Sequence, residues 1–124
     1  MARDDEMTKR GKSSMSGIAN TPQPPYYAVI FTSERTEGDD GYEEMGKMMV
    51  ELAAKQPGFL GVESVRGQNG IGITVSYWTS LEAIRNWKKH DWHQLAQKKG
   101  KADWYKRYAL RVCYVERDSF FDRE

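Results

Sequence analysis

The residues best suited to chemistry are concentrated in one stretch, residues 70–97 of the 124-residue chain. This stretch contains both histidines, His90 and His93, and three of the four tryptophans. An imidazole titrates close to neutral pH, so a histidine here could accept a proton from a substrate. His90 and His93 could also share a metal ion, but the sequence places no third ligand beside them. Proton transfer is therefore the better hypothesis, and we expect no metal site.

A predicted β-strand leads into this stretch. Residues 71–78 (Ile-Gly-Ile-Thr-Val-Ser-Tyr-Trp) alternate apolar side chains with small polar ones, which indicates a strand with two different faces. One face is apolar, and the other is small and polar until it ends in Trp78. Residues 67–70 (Gly-Gln-Asn-Gly) predict a hairpin turn, because Asn-Gly readily adopts the positive φ angles of tight turns. Residues 59–66 are then predicted to be the antiparallel partner strand.

A predicted helix follows the strand directly. Residues 79–82 (Thr-Ser-Leu-Glu) fit a capping box, with residue 79 as the N-cap, and the helix is predicted to run to about residue 98. At helical spacing Trp87 and His90 lie beside its apolar stripe, whereas His93 is predicted to face solvent. The stripe itself consists of Leu81, Ile84, Trp92 and Leu95.

The whole chain repeats this alternation of strands and helices. Strands are predicted at residues 26–35, 59–66, 71–78 and 108–117, and helices at residues 42–55 and 79–98, with Asp39 or Asp40 capping the first helix. The order predicts an α+β, ferredoxin-like βαββαβ fold with a four-stranded antiparallel sheet and both helices on one face. The other face would expose apolar side chains, which predicts a homodimer that packs sheet to sheet.

The folded domain is predicted to span residues 26–117. Residues 1–25 have few large apolar side chains and end in a proline-rich segment, so we expect a disordered, solvated N-terminal tail. Residues 118–124 are expected to be a short C-terminal tail. Two aromatic residues outside the helix, Trp104 and Tyr105, are predicted to lie in a turn or helical bend before the last strand.

The composition argues against several classes of protein. The net charge is +1, from 19 basic and 18 acidic side chains, which does not favour binding to nucleic acid or to an acidic membrane surface. No apolar run approaches the roughly 20 residues that span a bilayer. The single cysteine, Cys113, cannot form an internal disulfide. We therefore expect a cytoplasmic protein.

Two segments resemble a known family. Residues 56–64 (Gln-Pro-Gly-Phe-Leu-Gly-Val-Glu-Ser) and residues 73–87, which contain Ser-Leu-Glu-Ala-Ile-Arg-Asn-Trp, are similar to the antibiotic biosynthesis monooxygenase superfamily, also called dimeric α/β barrel proteins. The resemblance covers residues 26–117 and implies the same fold and a dimer. The superfamily includes cofactor-independent quinone-forming oxygenases, haem-degrading oxygenases and small-molecule isomerases.

The cofactor-independent branch of this family implies a pocket between the helices and the sheet that holds a planar phenolic substrate, with no metal or organic cofactor. By this resemblance, His90 would take the phenolic proton and Arg111 would hold the oxyanion. Trp78 and Trp87 would be flat apolar walls. The expected catalytic residues are His90, Trp87 and Arg111, and the expected substrate-binding residues are Tyr77, Trp78, Trp104, Tyr105 and Tyr108. The leading hypothesis is a monooxygenase of an aromatic or polycyclic small molecule.

Two other functions remain open. The first is a non-catalytic binding or stress-response protein that uses the same pocket for a small aromatic ligand. The second is haem binding or degradation, which in this family uses a tryptophan on the helix, a histidine ten residues later and an asparagine on the first strand. Trp87 matches, but Gln97 replaces the histidine, and residues 26–35 contain no asparagine. His90 or His93 would then have to be the axial ligand.

Individual residues also have simpler explanations. Trp87 could be an ordinary core residue, and Arg111 could pair with Glu34 or Glu63 across the sheet or a dimer interface.

Overall fold

A computed structural model describes residues 17–39 and 41–123 of the protein. They form one four-stranded antiparallel sheet with the strand order β2-β3-β1-β4 and three α-helices. The strands are β1 Tyr26–Arg35, β2 Phe59–Arg66, β3 Ile71–Trp78 and β4 Tyr105–Val115, and the helices are α1 Tyr42–Ala54, α2 Leu81–Lys89 and α3 Asp91–Lys99. The predicted ferredoxin-like α+β fold is confirmed. None of the helices in these ranges combines the length and the apolar character needed to cross a membrane.

The first three strands have the predicted bounds, but the last one begins earlier than predicted. A π-helical turn, Gly100–Trp104, passes directly into β4, which starts at Tyr105 and not at Tyr108. Tyr105 pairs with Arg35, where a bulge interrupts the register with β1. The turn therefore brings Trp104 and Tyr105 against the end of β1.

The predicted continuous helix over residues 79–98 is wrong, because the chain breaks at His90. This residue is extended, with φ −60° and ψ 135°, so α2 ends and α3 begins there. Its amide donates to Trp87 O at 3.0 Å, and its Nδ1 accepts from the Trp92 amide at 3.3 Å. Since α3 starts a new helix, spacing counted through the break does not hold. Trp92 and Leu95, placed by that spacing in the buried stripe, are 44% and 47% exposed.

The first turn of α2 is capped one residue later than predicted. Ser80 is the N-cap, and its side chain accepts from the Ala83 amide at 3.0 Å. The Thr79 amide instead donates to Gly58 O at 2.8 Å. Gly58 has φ 89°, and a Cβ at that position would stand 2.6 Å from the Cβ of Ala83. The turn after α1 is therefore fitted closely against the start of α2.

The N-cap residue of α1 is Gly41, with φ 82°, and not the predicted Asp39. The carboxylate of Asp39 accepts from the amides of Gly41 and Glu43, at 3.0 and 3.2 Å. The other candidate, Asp40, lies outside the described residues.

The strand register defines two faces of the sheet, because residues paired across antiparallel strands project to the same side. We call the side that packs against the helices the helix face and the other side the open face. On β3 the helix face carries Gly72, Thr74, Ser76 and Trp78, and the open face carries Ile71, Ile73, Val75 and Tyr77. The predicted alternation is thus confirmed. The apolar row points away from the helices and the small polar row points towards them.

The buried core is small and lies towards one end of the helix face. Ala53 of α1, Ala83 of α2 and Trp78 of β3 form its centre, and Trp78 is only 1% exposed. The partly buried side chains of Val29, Phe59, Ile84 and Trp87 pack around it. The methionines of α1 at positions 45, 48 and 49 are also only partly buried.

The segment before β1 contains no helix or strand from residue 17 to 25, but it contacts the sheet. Thr21 is 2% exposed, and its hydroxyl donates to Tyr26 Oη at 2.9 Å. The Ala19 amide donates to the Glu63 carboxylate at 2.9 Å. Tyr26 in turn donates to Asp118 beyond β4, at 2.6 Å. The expectation of a disordered tail over residues 1–16 concerns a part of the chain outside the described residues.

Candidate functional site

Four aromatic rings contact one another in a row at the end of the sheet where β3 stops. We call Phe59, Trp78, Trp87 and His93 the indole column. Trp78 and Trp87 are 6.5 Å apart between ring centroids with 25° between their planes, and Phe59 meets Trp78 edge-on at 5.4 Å. The His93 ring lies 4.7 Å from Trp87 and almost parallel to it, at 8°. His90 contacts the same indole at 5.3 Å. Both histidines therefore meet at Trp87.

The break at His90 is what allows His93 to reach Trp87. In an uninterrupted α-helix, the side chains of residues six positions apart point in directions about 120° apart around the axis. Here His93 Nδ1 lies 3.1 Å from the carbonyl oxygen of Trp87, six residues earlier. The prediction that His93 faces solvent is wrong for this reason, since it assumed a continuous helix. His93 is a half-buried member of the column.

The hydrogen bonds show that the two neutral imidazoles carry their proton on different nitrogens. A carbonyl oxygen only accepts, so Nδ1 of His93 must be the donor to Trp87 O, and Nε2 of a neutral His93 has a free lone pair. His90 is the reverse, because its Nδ1 accepts the Trp92 amide and its Nε2 carries the proton of the neutral ring. Burial lowers the pKa of His93, against the opposing effect of its hydrogen bond to Trp87; His90 and Lys88 add to the lowering.

A second group of rings occupies the opposite end of the same face. We call Phe31, Tyr42, Trp104, Tyr105 and Tyr108 the tyrosine cluster. Phe31 of β1 lies 5.3 Å from Tyr105 and 5.2 Å from Tyr108 between ring centroids. Tyr42 of α1 lies 5.6 Å from Trp104 and 5.8 Å from Tyr105. Burial, followed by the hydrogen bond with Tyr42, raises the pKa of Tyr105.

Arg66 attaches this cluster to the sheet. Its guanidinium lies against Gly72, where an added Cβ would be 2.6 Å from Cζ. It donates to the hydroxyl of Ser33 at 2.7 Å, to the hydroxyl of Tyr42 at 3.2 Å and to the carbonyl of Gly70. These partners are neutral, and no carboxylate pairs with Arg66 among the residues that the structure describes.

Arg35 holds the other side of the cluster. Its guanidinium carbon is 3.6 Å from the centroid of the Tyr42 ring. It donates to the carbonyls of Trp104 and Gly38, each at 3.0 Å. The guanidinium groups of both arginines are thus occupied by hydrogen bonds and a ring contact within the fold.

Two of the predicted site residues lie on the open face. Tyr77 donates to Glu63 at 2.7 Å, and burial together with that carboxylate raises the pKa of Tyr77. Arg111 pairs in register with Ile30 and is exposed. Within residues 17–39 and 41–123 Arg111 forms no ion pair with Glu34 or Glu63, so a pairing inside one subunit is not observed.

The structure therefore divides the predicted site into three places. It brings Trp78, Trp87 and His90 together, puts Trp104, Tyr105 and Tyr108 in the tyrosine cluster, and leaves Tyr77 and Arg111 on the far side of the sheet. Sequence reasoning missed several residues that complete these groups, namely Phe31, Arg35, Tyr42, Phe59, Arg66 and His93 as a ring partner. Of these, only the position of His93 could have been found from the sequence. Lysines at 88 and 89 are typical of a helix end and an acidic residue at 91 is typical of a helix start, so the pattern indicates a break at residue 90.

Between the two aromatic groups, the helix face carries small polar side chains on β2 and β3, next to the apolar Val29 of β1 and Val62 of β2. Ser64 and Thr74 hydrogen-bond to each other at 2.8 Å, and Ser76 accepts from Trp78 Nε1 at 2.9 Å. A sheet face under helices is normally apolar. Across the described ranges no group of three or more histidine, cysteine or acidic side chains is arranged to hold a metal ion.

The comparisons with known proteins fit this architecture. The family described as antibiotic biosynthesis monooxygenase matches residues 25–99. The chain belongs to that family. It is also 56% identical over 107 residues to the uncharacterized protein YqjZ of Bacillus subtilis, a match that covers 86% of this chain and 94% of the relative.

Solved structures share the fold at low sequence identity. SnoaB of Streptomyces nogalater, a cofactor-independent oxygenase, is 14% identical with a TM-score of 0.62, over 82% of this chain and 96% of its own. A protein of Shewanella oneidensis is 8% identical with a TM-score of 0.67, over 76% and 94%. At such identities the likeness concerns the fold alone.

Proposed function

We propose that the protein is a cofactor-independent oxygenase of an aromatic or polycyclic small molecule. The observation that carries this proposal is the row of hydroxyl side chains on the helix face, Ser64, Thr74 and Ser76, with aromatic rings at both of its ends. Hydroxyls on such a surface suit a flat ligand with oxygen substituents. The membership of the family and the resemblance in fold to SnoaB support the same conclusion.

The reaction needs nothing beyond the substrate and O₂. For an anthrone, loss of a proton gives an electron-rich anion, and its CH₂ carbon is oxidised to a carbonyl. That carbon supplies four electrons. One oxygen atom of O₂ becomes the carbonyl oxygen, and the other leaves as water with the two hydrogen atoms of the CH₂ group. The protein's part is to stabilise the anion in a site that excludes water.

The proposed site is at the indole column. Trp87 is its ring wall, and His90 and His93 are the groups that can exchange protons or hydrogen bonds with a phenolic oxygen. Trp78 supports Trp87 from within the core. Arg111 lies on the open face, so it is left out of the site within one subunit.

Oxygen consumption with a panel of anthrones and hydroquinones tests the function. We expect saturable uptake by the wild-type protein and, in Trp87→Ala, a loss of about 10-fold or more, because the ring wall is removed. Trp92→Ala, an exposed tryptophan on α3, is the matched control and should keep the rate. Tight binding without uptake would instead indicate a binding protein. A saturable Soret shift with haemin at one per subunit would replace the proposal by haem binding, with a histidine in place of Gln97.

We also propose that the active form is a homodimer joined through the open face. Ile73 and Val65, paired in register there, are 42% and 70% exposed, and Ile71 beside them is 46% exposed. Adjacent apolar side chains at these exposures favour burial against a second copy. Sedimentation of the wild-type protein should give a dimer and Ile73→Asp a monomer, while Val50→Asp on α1 leaves the dimer intact. A wild-type monomer at micromolar concentration would contradict this.

A further inference from the structure

We propose that His93, and not His90, is the proton acceptor for a phenolic substrate. This rests on the proposed function and deepens it, because it names the atom that would take the proton. The candidate atom is Nε2 of His93, in the imidazole that stacks on Trp87. Sequence reasoning chose His90, since it could not place the protons on either ring.

The hydrogen-bond geometry supports His93. A general base needs a lone pair that points to the substrate and is not already used. Nδ1 of His93 donates to Trp87 O at 3.1 Å, which leaves the lone pair on Nε2. In the part of the chain that the structure describes, Nε2 has no hydrogen-bond partner. This nitrogen is therefore able to accept a proton without breaking any contact of the fold.

His90 is unsuited to the same task. Its basic nitrogen, Nδ1, already accepts the amide of Trp92 and thereby caps α3. Protonation at Nδ1 would remove this cap and leave the amide without its partner. The other nitrogen, Nε2, carries the hydrogen of the neutral ring and can only donate. His90 is thus equipped to hydrogen-bond the oxyanion, and His93 is equipped to create it.

The environment keeps His93 ready for this role. Burial is the main cause that lowers its pKa, with smaller contributions from His90 and Lys88, and this favours the neutral ring, the form that can accept a proton. In the proposed step the phenolic O–H bond breaks, an N–H bond forms at Nε2, and the products are a phenolate and an imidazolium. The carbonyl of Trp87 then accepts from the positively charged ring, which stabilises the product.

The first measurement is the tautomeric state of both histidines by ¹⁵N-detected long-range NMR at pH 7. We expect His93 to carry its proton on Nδ1 and His90 on Nε2. A His93 with its proton on Nε2 would overturn the proposal, because no lone pair would then be available at the free nitrogen.

The second measurement uses 2-hydroxyanthraquinone, a phenolic probe that does not consume O₂ and whose phenolate absorbs at longer wavelength. We expect bound probe to show the full phenolate band with the wild-type protein and with the exposed control Trp92→Ala. His90→Asn, which keeps a good N-cap but loses the donor to the oxyanion, should reduce the band by less than His93→Asn does. His93→Asn should reduce the band about 10-fold or more. If His90→Asn abolishes the band and His93→Asn does not, or if no phenolate forms on the wild-type protein, the proposal fails.

These outcomes separate the two proposals. A phenolate that depends on His93, without oxygen uptake for any anthrone, leaves the proton acceptor in place and removes the oxygenase. Oxygen uptake that survives in His93→Asn removes the proton acceptor and leaves the oxygenase. With an active wild-type protein, we expect His93→Asn to lower kcat about 10²-fold and His90→Asn much less. Circular dichroism of both variants confirms that they are folded.

Discussion

The indole column and the tyrosine cluster lie on the same face of one sheet, yet they use their polar groups differently. In the tyrosine cluster the guanidinium of Arg66 donates to Ser33, to Tyr42 and to a backbone carbonyl, and Arg35 donates to two further carbonyls. In the column, His93 makes one hydrogen bond and keeps a nitrogen free. The arginine donors of the cluster are thus engaged by the fold, whereas the column contains an imidazole nitrogen without a hydrogen-bond partner among the described residues.

This difference separates aromatic residues that look alike in the sequence. Rings are present in both regions, so a ring alone does not identify a site. What distinguishes them is whether the adjoining polar atoms are already satisfied by the fold. By that criterion Tyr105, which the resemblance suggested as a substrate contact, differs from the column, because its hydroxyl is hydrogen-bonded with Tyr42.

The strongest test of this comparison is Arg66→Ala. It removes the donor to the buried Ser33 hydroxyl and to Tyr42, and we expect the free energy of unfolding to fall by about 3 kcal/mol. Oxygen uptake per folded molecule should be unchanged. Arg85→Ala on the exposed side of α2 is the control and should change stability by less than about 0.5 kcal/mol. Urea denaturation measures both. A loss of uptake with stability intact would make the tyrosine cluster part of the site.

A pair of glycine substitutions tests how closely the arginine is fitted. In Gly72→Ala the new methyl meets the Arg66 guanidinium, so we expect a loss of about 2 kcal/mol. Gly46→Ala, in the middle of α1 with open space around its Cβ, should instead gain about 0.5–1 kcal/mol from helix propensity. Chemical denaturation of the two variants under the same conditions gives the sign of each change. Equal signs would contradict the close fit at Gly72.

The column depends on the caps of its helices, and Ser80→Ala tests the first of them. Losing the bond from the Ser80 side chain to the Ala83 amide should cost about 1 kcal/mol. Thr79→Ala, at the cap position that the sequence predicted, should change stability by no more than about 0.5 kcal/mol. The thermal midpoints of the two variants decide between the two caps. A larger effect at Thr79 would restore the predicted cap.

The smallest expected effect is a dependence of stability on pH that originates in His93. Because burial lowers the pKa of His93 in the folded protein, the unfolded chain binds more protons just below its ordinary value of 6.5. The stabilisation is complete above pH 6.5 and is lost as the pH falls through the folded pKa. We expect the free energy of unfolding to fall less steeply near pH 6 in His93→Asn than in His90→Asn. If urea denaturation at several pH values gives the same slope for both variants, His93 does not titrate in this way.

Much of the fold could be predicted because its boundaries are marked by local chemistry. Prolines precede β1, Gln56-Pro57-Gly58 ends α1 before β2, and Asn69-Gly70 forms the hairpin into β3, where Gly70 has φ 87°. The break at His90 is not marked by a glycine or proline, since neither occurs in residues 81–99, and its only signal is the change from Lys88-Lys89 to Asp91. Because the extended backbone at His90 was not predicted, the apolar stripe beyond it was placed wrongly. The contact between His93 and Trp87 was missed for the same reason.

The candidate site could be predicted only in part, for a different reason. Trp78, Trp87 and His90 are close in the sequence and also in space. The tyrosine cluster instead joins residues from α1, β1 and β4, through a bulge between Glu34 and Arg35 that periodicity does not reveal. The direction of Arg111 depended on the register of an edge strand, which the alternation of residues 108–115 left open between the two faces.

The close approach of Gly58 to Ala83 has a consequence for how this chain can diverge. A side chain at position 58 would have to adopt a φ of 89° and to occupy the space of the Ala83 methyl and of the Thr79 hydroxyl. Position 83 also stands one helical turn before Trp87. A larger side chain at position 58 or 83 would therefore disturb the contact between the turn after α1 and the start of α2, the helix that carries Trp87. The short Pro-Gly-Phe-Leu-Gly segment, far from Trp87 in the sequence, thus helps to fix the position of that indole.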